Sequence, residues 1–283
     1  MKRLTFLFAL LLSGTMVMAQ GNTSNLEQLG DANSTEIIQT GNTNTSFSVL
    51  TGDANVTNEV QEGLSNNARI EVTGSDNTVV LSQIGDNNDG VNAIIGNNVQ
   101  ANIVSEGAFN QVNQAVEANN TIVVAEQVGN TNTTVQTSVS LSGQGDNQLL
   151  SSQVGDGNTS VMNQMGDNSN IVLTQAGNSG VSIVEQNGTS NNLGARQIGD
   201  ENTIVARQDG LNNFAGGLNE DLLIQEGDQN TIELLQVGDQ HTSAVTQQGD
   251  ANITSNQQNG NQHANRVLQV GNSNSATVTQ SNN

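Results

Sequence analysis

His241 and His263 are the only imidazoles in the chain, and they stand 22 residues apart. Imidazole is a common metal ligand, so the pair is one candidate centre. The other reading is that each histidine fills a rung in a repeated polar array. Ten aspartates offer a second kind of chemistry. Asp31, Asp53, Asp86, Asp146, Asp156, Asp167, Asp200, Asp228, Asp239 and Asp250 each follow a glycine directly. Carboxylates in such rows bind calcium in nonapeptide β-rolls. Here the glycines recur every 11 residues, and the double-glycine calcium signature is missing. Asp after Gly equally serves as a turn former and as a charge that restrains aggregation. There is no cysteine nucleophile, and neither histidine lies in a Ser-His-acid pattern. The other carboxylates are borne by repeats on a regular surface without a cleft. The inventory argues against an enzyme, and no cofactor or metal is expected.

The elements that would position these groups are short and repeated. The phrase Gln-x-Gly-x-x-Asn occurs twelve times. Its glutamines are Gln28, Gln39, Gln61, Gln83, Gln127, Gln153, Gln186, Gln197, Gln208, Gln225, Gln247 and Gln269. Its glycines are Gly30, Gly41, Gly63, Gly85, Gly129, Gly155, Gly188, Gly199, Gly210, Gly227, Gly249 and Gly271. Its asparagines are Asn33, Asn44, Asn66, Asn88, Asn132, Asn158, Asn191, Asn202, Asn213, Asn230, Asn252 and Asn274. Both histidines occupy the asparagine position of degenerate copies. Ala118 holds one glycine slot.

An 11-residue period also fits a right-handed helical supercoil, but a glycine followed by Asp or Asn in every period breaks helices and makes turns. Between turns lie segments such as Thr78-Val79-Val80-Leu81-Ser82, which read as strands. Four residues before the turn slot the chain is mostly apolar, as at Leu26, Ile37, Ile70, Leu81, Ile103, Met162, Leu173, Val184, Leu234 and Val245. Charge falls on the opposite parity, as at Glu27, Glu36, Arg69, Glu71, Glu126, Arg196, Arg207 and Arg266. Residues two apart in a strand share a face, so the charged rows face solvent. Glu59 and Asp221 break the rule, and Phe47 to Val60 carries its large apolar residues on the wrong parity, which is compatible with an inverted or slipped register there.

Two such units make a 22-residue coil. Stacked coils make an all-β, cross-β solenoid with two strands per coil and amyloid-like pairing. Eleven to twelve coils spaced by about 4.8 Å give a rod of roughly 55 Å. Motif Gln and Asn share the inward parity, and stacked copies are expected to bond amide to amide in ladders that replace a conventional core. The spacing is irregular near 133–152 and 211–222, which reads as bulged turns or surface loops.

Composition agrees. Hydrophobic residues are 33% and aromatics 2% of the chain, with no Trp, Tyr, Cys or Pro. Low-charge Asn/Gln-rich chains with β-branched residues favour β-assembly. Lys2 and Arg3 precede the apolar run Leu4 to Met18 and a small residue, Ala19. That is a secretory signal peptide, residues 1–19, cut after Ala19. Residues 20–283 form one repeat domain. Beyond residue 19 four arginines face 27 acids, so neither nucleic acid nor an anionic membrane is an expected partner, and no segment is suited to membrane insertion.

The repeat resembles that of the curlin family, the subunits of bacterial curli amyloid fibres. Ser24 to Asn33 carries the family's polar and glycine skeleton imperfectly, and Gln83-Ile84-Gly85-Asp86-Asn87-Asn88 carries it fully. The likeness runs from about residue 24 to the end. It implies a β-solenoid subunit exported through an outer-membrane curli secretion pore and polymerised at the cell surface into adhesive biofilm fibres, with a nucleating homologue as a partner besides other copies of the chain. This chain has about eleven repeats where familiar members have about five, and its repeats begin by Leu26. The chain ends mid-motif at Gln280-Ser281-Asn282-Asn283, which is expected to leave strand edges that accept another copy. Two other readings are a monomeric solenoid with an ice-binding face and a calcium-dependent adhesin. Thr35, Thr57 and Thr254 share a slot that an ice-binding Thr column would need, but other residues fill it elsewhere.

Overall fold

The computed structural model describes residues 21–140, 142–143, 145–216 and 223–282. The expected signal peptide and Asp221 lie outside these residues. Among the described residues twenty-four strands follow one another without a helix. They are β1 (Thr23–Leu29), β2 (Ser34–Asn42), β3 (Thr45–Thr51), β4 (Val56–Leu64), β5 (Asn67–Thr73) and β6 (Thr78–Asp86). Next come β7 (Asp89–Ile95), β8 (Gln100–Ala108), β9 (Gln111–Glu117), β10 (Ile122–Val128), β11 (Thr133–Val139) and β12 (Gln148–Val154). Then follow β13 (Thr159–Met165), β14 (Asn170–Ala176), β15 (Val181–Asn187), β16 (Asn192–Ile198), β17 (Thr203–Asp209) and β18 (Phe214–Ala215). The last are β19 (Leu223–Glu226), β20 (Thr231–Asp239), β21 (Thr242–Gln248), β22 (Ile253–Asn261), β23 (Ala264–Val270) and β24 (Ser275–Ser281).

Successive strands alternate between two parallel sheets. The first runs β1-β3-β5-β7-β9-β11-β13-β15-β17-β20-β22-β24. The second holds the intervening strands from β2 to β23. Each strand pairs with its equivalent one coil away, as Thr45 with Asn67 and Thr78 with Gln100. The result is a β-solenoid of about eleven turns, as the 22-residue period predicts.

Sequence parity decides what is inside. In β6, Val79, Leu81 and Gln83 are buried while Val80 and Ser82 are half-exposed. The same alternation recurs along both sheets. Ile70, Leu81, Ile103, Met162, Leu173, Val184, Leu223, Leu234, Val245 and Val267 line the interior. Buried Asn, Gln, Ser and Thr fill the rest of it.

Register is not inverted at Phe47–Val60. β3 pairs with β1 and β5, and β4 with β2 and β6, in the ordinary 22-residue register. Inward parity is kept there by polar residues: Ser46, Ser48, Thr57, Glu59 and Gln61 are buried. Phe47 faces outward, with the Arg69 guanidinium over its ring at 5.6 Å from the centroid. Continuous pairing on both sides outweighs the local apolar pattern, because a one-residue slip would turn the neighbouring rows inside out.

The two irregular stretches differ. Four extra residues lie in the turn between β11 and β12, so Gln127 meets Gln153 across 26 residues. The other interruption lies inside a strand. β18 pairs with β16 at a spacing of 22, and β19 pairs with the same strand at 28. In the outermost coils the inward residues of β1 and of β24 are at least half-exposed.

Candidate functional site at the coil-to-coil interface

The site is the surface by which one coil meets the next, and it is built at the corners first. In Gly85-Asp86-Asn87-Asn88 the glycine has φ 116° and Asn87 has φ 57°. A Cβ on Gly85 would stand 2.0 Å from the Gly107 carbonyl oxygen of the next coil, so only glycine fits that backbone at that spacing. Ala118 takes the equivalent slot without a positive φ. The left-handed residue two past the glycine has counterparts at Ala32, Ala54, Thr131, Ser190 and Glu201, among others. Sequence reasoning missed it, although its preference for Asn, Ser, Asp and small residues is the ordinary signal of a left-handed site.

Motif asparagines are corner braces. Asn88 Nδ2 donates to the Gly107 carbonyl at 2.9 Å, and its Oδ1 accepts the Asn110 backbone N–H at 3.0 Å. Asn33, Asn44, Asn66, Asn132, Asn158, Asn191, Asn202, Asn213 and Asn230 hold the next coil in the same two ways. Asn252 and Asn274 carry amide-to-amide bonds to the coil before, as Asn55 and Asn77 do. The expected amide ladder is therefore the exception in the Asn rows. At Asn55 and Asn77 the Nδ2 that bonds the equivalent amide also keeps the glycine carbonyl of the next coil.

Glutamines do form amide ladders. In the second sheet Gln39, Gln61 and Gln83 are linked at 2.8 Å per step. Ser105 interrupts the row, and Gln127, Gln153, Gln175, Gln197, Gln225, Gln247 and Gln269 continue it at 2.8–3.0 Å. In the first sheet Gln164, Gln186, Gln208, Gln236, Gln258 and Gln280 form a second row. The spare amide hydrogen reaches the opposite sheet, as from Gln153 to the Thr133 carbonyl at 3.2 Å. Gln28 stands apart, bonding Thr35 Oγ1 in the outermost coil. The twelve motif glycines turn the corners between these rows. Gly30, Gly188 and Gly210 lie after first-sheet strands, and Gly41, Gly63, Gly85, Gly129, Gly155, Gly199, Gly227, Gly249 and Gly271 lie at the opposite corner.

Aspartates after the glycine reach the other way along the rod. Asp53, Asp228 and Asp250 each accept, through Oδ1, the backbone N–H of the aspartate one coil earlier. Asp146 differs: with φ 56° it holds the left-handed position, because the four extra residues displace it. Asp167 clasps that insertion through the Ser140 hydroxyl and the N–H groups of Ser142 and Gly145. Slight burial pushes its carboxyl up, and these bonds outweigh that and hold it below the usual carboxylate range. Among the described residues no group of three His, Cys, Asp or Glu could hold a metal ion.

His241 and His263 stack with ring centroids 5.3 Å apart and planes 3° apart. His241 keeps one of asparagine's two braces to the next coil, and the Nε2 of each ring turns back to a carbonyl of its own coil. His241 backbone N–H bonds Asn213 Oδ1, its Nδ1 accepts the His263 N–H, and its Nε2 meets the Val237 carbonyl. Both ring nitrogens of His241 are thus engaged with backbone. Thr57 and Thr254 are buried, so the slot they share with Thr35 offers no outer Thr column to ice.

Glu59 is the odd group. It is fully buried, Oε2 accepts from Ser46 Oγ at 2.8 Å and Ser48 Oγ at 3.4 Å, and Oε1 has no partner. Burial pushes its carboxyl above the ordinary range, and the two serine bonds offset only part of that.

A family model described as the curlin associated repeat matches residues 52–85. These residues run from one turn glycine to another, through β4, β5 and most of β6. No curated protein matches the chain. The matched repeat and the solenoid support a curlin-like repeat protein.

Proposed function

Starting from a β-solenoid that carries the curlin associated repeat, we propose that the chain is a secreted, self-assembling structural subunit of extracellular curli-like amyloid fibres. It acts in cell adhesion and the biofilm matrix. One observation carries this reading. Each coil presents glycine carbonyls, corner N–H groups and glutamine amides on one edge, and the next coil presents their complements at the same positions. Such an interface is self-similar, so a coil of another copy satisfies it as well as a coil of the same chain. Head-to-tail contacts of this kind do not close on themselves and make filaments. Residues 1–19 would direct export and be removed, the secretion pore would pass the chain, and a nucleating homologue would start growth. Carboxylates stacked on adjacent coils repel, so calcium or low pH should speed assembly.

The test is to incubate residues 20–283. Thioflavin-positive fibres with a 4.8 Å meridional reflection are expected. A rod that stays monomeric at all concentrations contradicts the proposal.

A further inference from the structure

The outer face of the first sheet carries a relief that end-to-end stacking does not use. In each strand from β7 to β17 of this sheet, the second, fourth and sixth residues point inward and the odd ones outward. The third residues form an axial ridge: Val91, Asn113, Val135, Val161, Ile183 and Val205. Beside it the fifth residues are small over four coils: Ala93, Ala115, Thr137 and Asn163. The seventh residues rise again on the far side, with Ile95, Val139 and Met165 exposed or half-exposed. The trough between is continuous. Two hollows of about 210 and 250 Å³ share Thr137 and Val139. On the second sheet the fifth residues are Ile38, Val60, Ser82, Val104, Glu126, Ser152, Thr174 and Arg196, so adjacent small residues run over two coils only, at Ser152 and Thr174.

We propose that this face is a side-to-side interface with a second copy of the chain, related by a two-fold axis parallel to the rod. Ridge and trough lie symmetrically about the fourth residue of each strand. Such an axis therefore lays the ridge of each copy in the trough of the other, on the same coil. An axis along the strands would set ridge on ridge. The corrugation along the rod repeats at the coil spacing of about 4.8 Å, and a second sheet of the same kind matches it rung for rung. Directly opposite positions pair no like charges: Asp89 would face Ile95, Glu117 would face Gln111, Glu185 would face Ile183, Arg207 would face Val205 and Asp209 would face Thr203, and the nearest like pair, Asp89 with the other copy's Glu117, is one coil apart. Over the four coils where the trough is open, four strands of seven residues present roughly 440 Å² per copy, or about 900 Å² in total, which is the size of a weak interface. The contact is independent of end-to-end stacking and leaves both rod ends free to grow.

The chain lacks cysteine, so single thiols report contacts cleanly. Val91→Cys, Val135→Cys and Leu150→Cys would each be treated with a short bismaleimide. The proposal expects covalent pairs from Val91→Cys and from Val135→Cys alone, and none from Leu150→Cys on the opposite face. Links confined to a mixture of Val91→Cys with Val205→Cys would reveal an antiparallel pair and overturn the stated symmetry. Links through Leu150→Cys, or none, would overturn the interface. A Val135→Glu/Val161→Glu chain should keep its fold and lower the paired fraction about tenfold or more, whereas the same change at Val124 and Val172 should not. Fibres seen only as single unlinked rods would remove this inference and leave the proposed function. Linked pairs that never elongate would do the reverse.

Discussion

Two stretches of the first sheet reach the same fold with opposite interiors. From β3 to β9 the sixth position of each strand holds Leu50, Val72, Ile94 and Val116, and the fourth position holds Ser48, Ile70, Asn92 and Gln114. From β13 to β24 the sixth position is an unbroken glutamine row, and the fourth holds Met162, Val184, Ala206, Leu234, Asn256 and Val278. Polar and apolar columns have largely traded places, yet the register stays in step on both sides. What the two stretches share is the corner after the second-sheet strands, where a glycine turns every coil and an asparagine follows in all but one, at Gly180, whereas the corner after β7 and β9 has Val99 and Thr121 in the asparagine slot. The interior column is thus exchangeable, and the glycine turn with its asparagine brace sets the register. The exchange has a cost in the earlier stretch, where Asn92 is buried with neither amide atom partnered, and in the facing strand β4 of the second sheet Glu59 is buried with one oxygen bare.

If that contrast is right, corner changes should hurt most. Gly85→Ala drives a Cβ into the Gly107 carbonyl and should cost about 3 kcal/mol or more, read as loss of hydrogen-exchange protection in coils on both sides. Asn88→Ala strips two bonds to the next coil and should cost about 2 kcal/mol by the same measurement. Glu59→Gln should instead stabilise β3 to β5 at neutral pH by about 1–2 kcal/mol. The sign follows from the raised carboxyl: the wild-type coil is most stable below the ordinary carboxylate pKa of 4.5 and loses that stability as pH rises through the higher folded value. The variant should show no such slope, and an unchanged slope would remove Glu59 as its source. Gln208→Leu copies the earlier stretch but leaves Gln236 Oε1 without its donor and Gln186 Nε2 with one bond fewer, and should cost about 1 kcal/mol. A loss as large as that of Asn88→Ala would show that ladders, not corners, hold the register. His263→Asn should be near neutral, within about 0.5 kcal/mol, and a larger loss would mean that ring stacking adds to the brace.

Much of this was legible in the sequence. The glycine period gave the coil, and parity gave the interior. The glutamine rows follow from a side chain long enough to reach its equivalent about 4.8 Å away. Three features were hidden. Asn87 and its counterparts look variable because their task is a backbone angle that several residue types meet. The asparagines work through backbone partners, which composition does not reveal. Phe47 to Val60 looked slipped because outward Val and Phe are stronger signals than inward Ser and Glu, while the pairing that fixes their parity comes from other coils.

The central claim is that a coil cannot distinguish its own neighbour from a coil of another copy. Helical reconstruction of filaments grown from residues 20–283 tests it directly. The account predicts that the strand spacing of about 4.8 Å and the glutamine and asparagine rows run unbroken across each subunit junction. Filaments whose subunits meet only through sheet faces, with a gap in the strand stack at every junction, would contradict it.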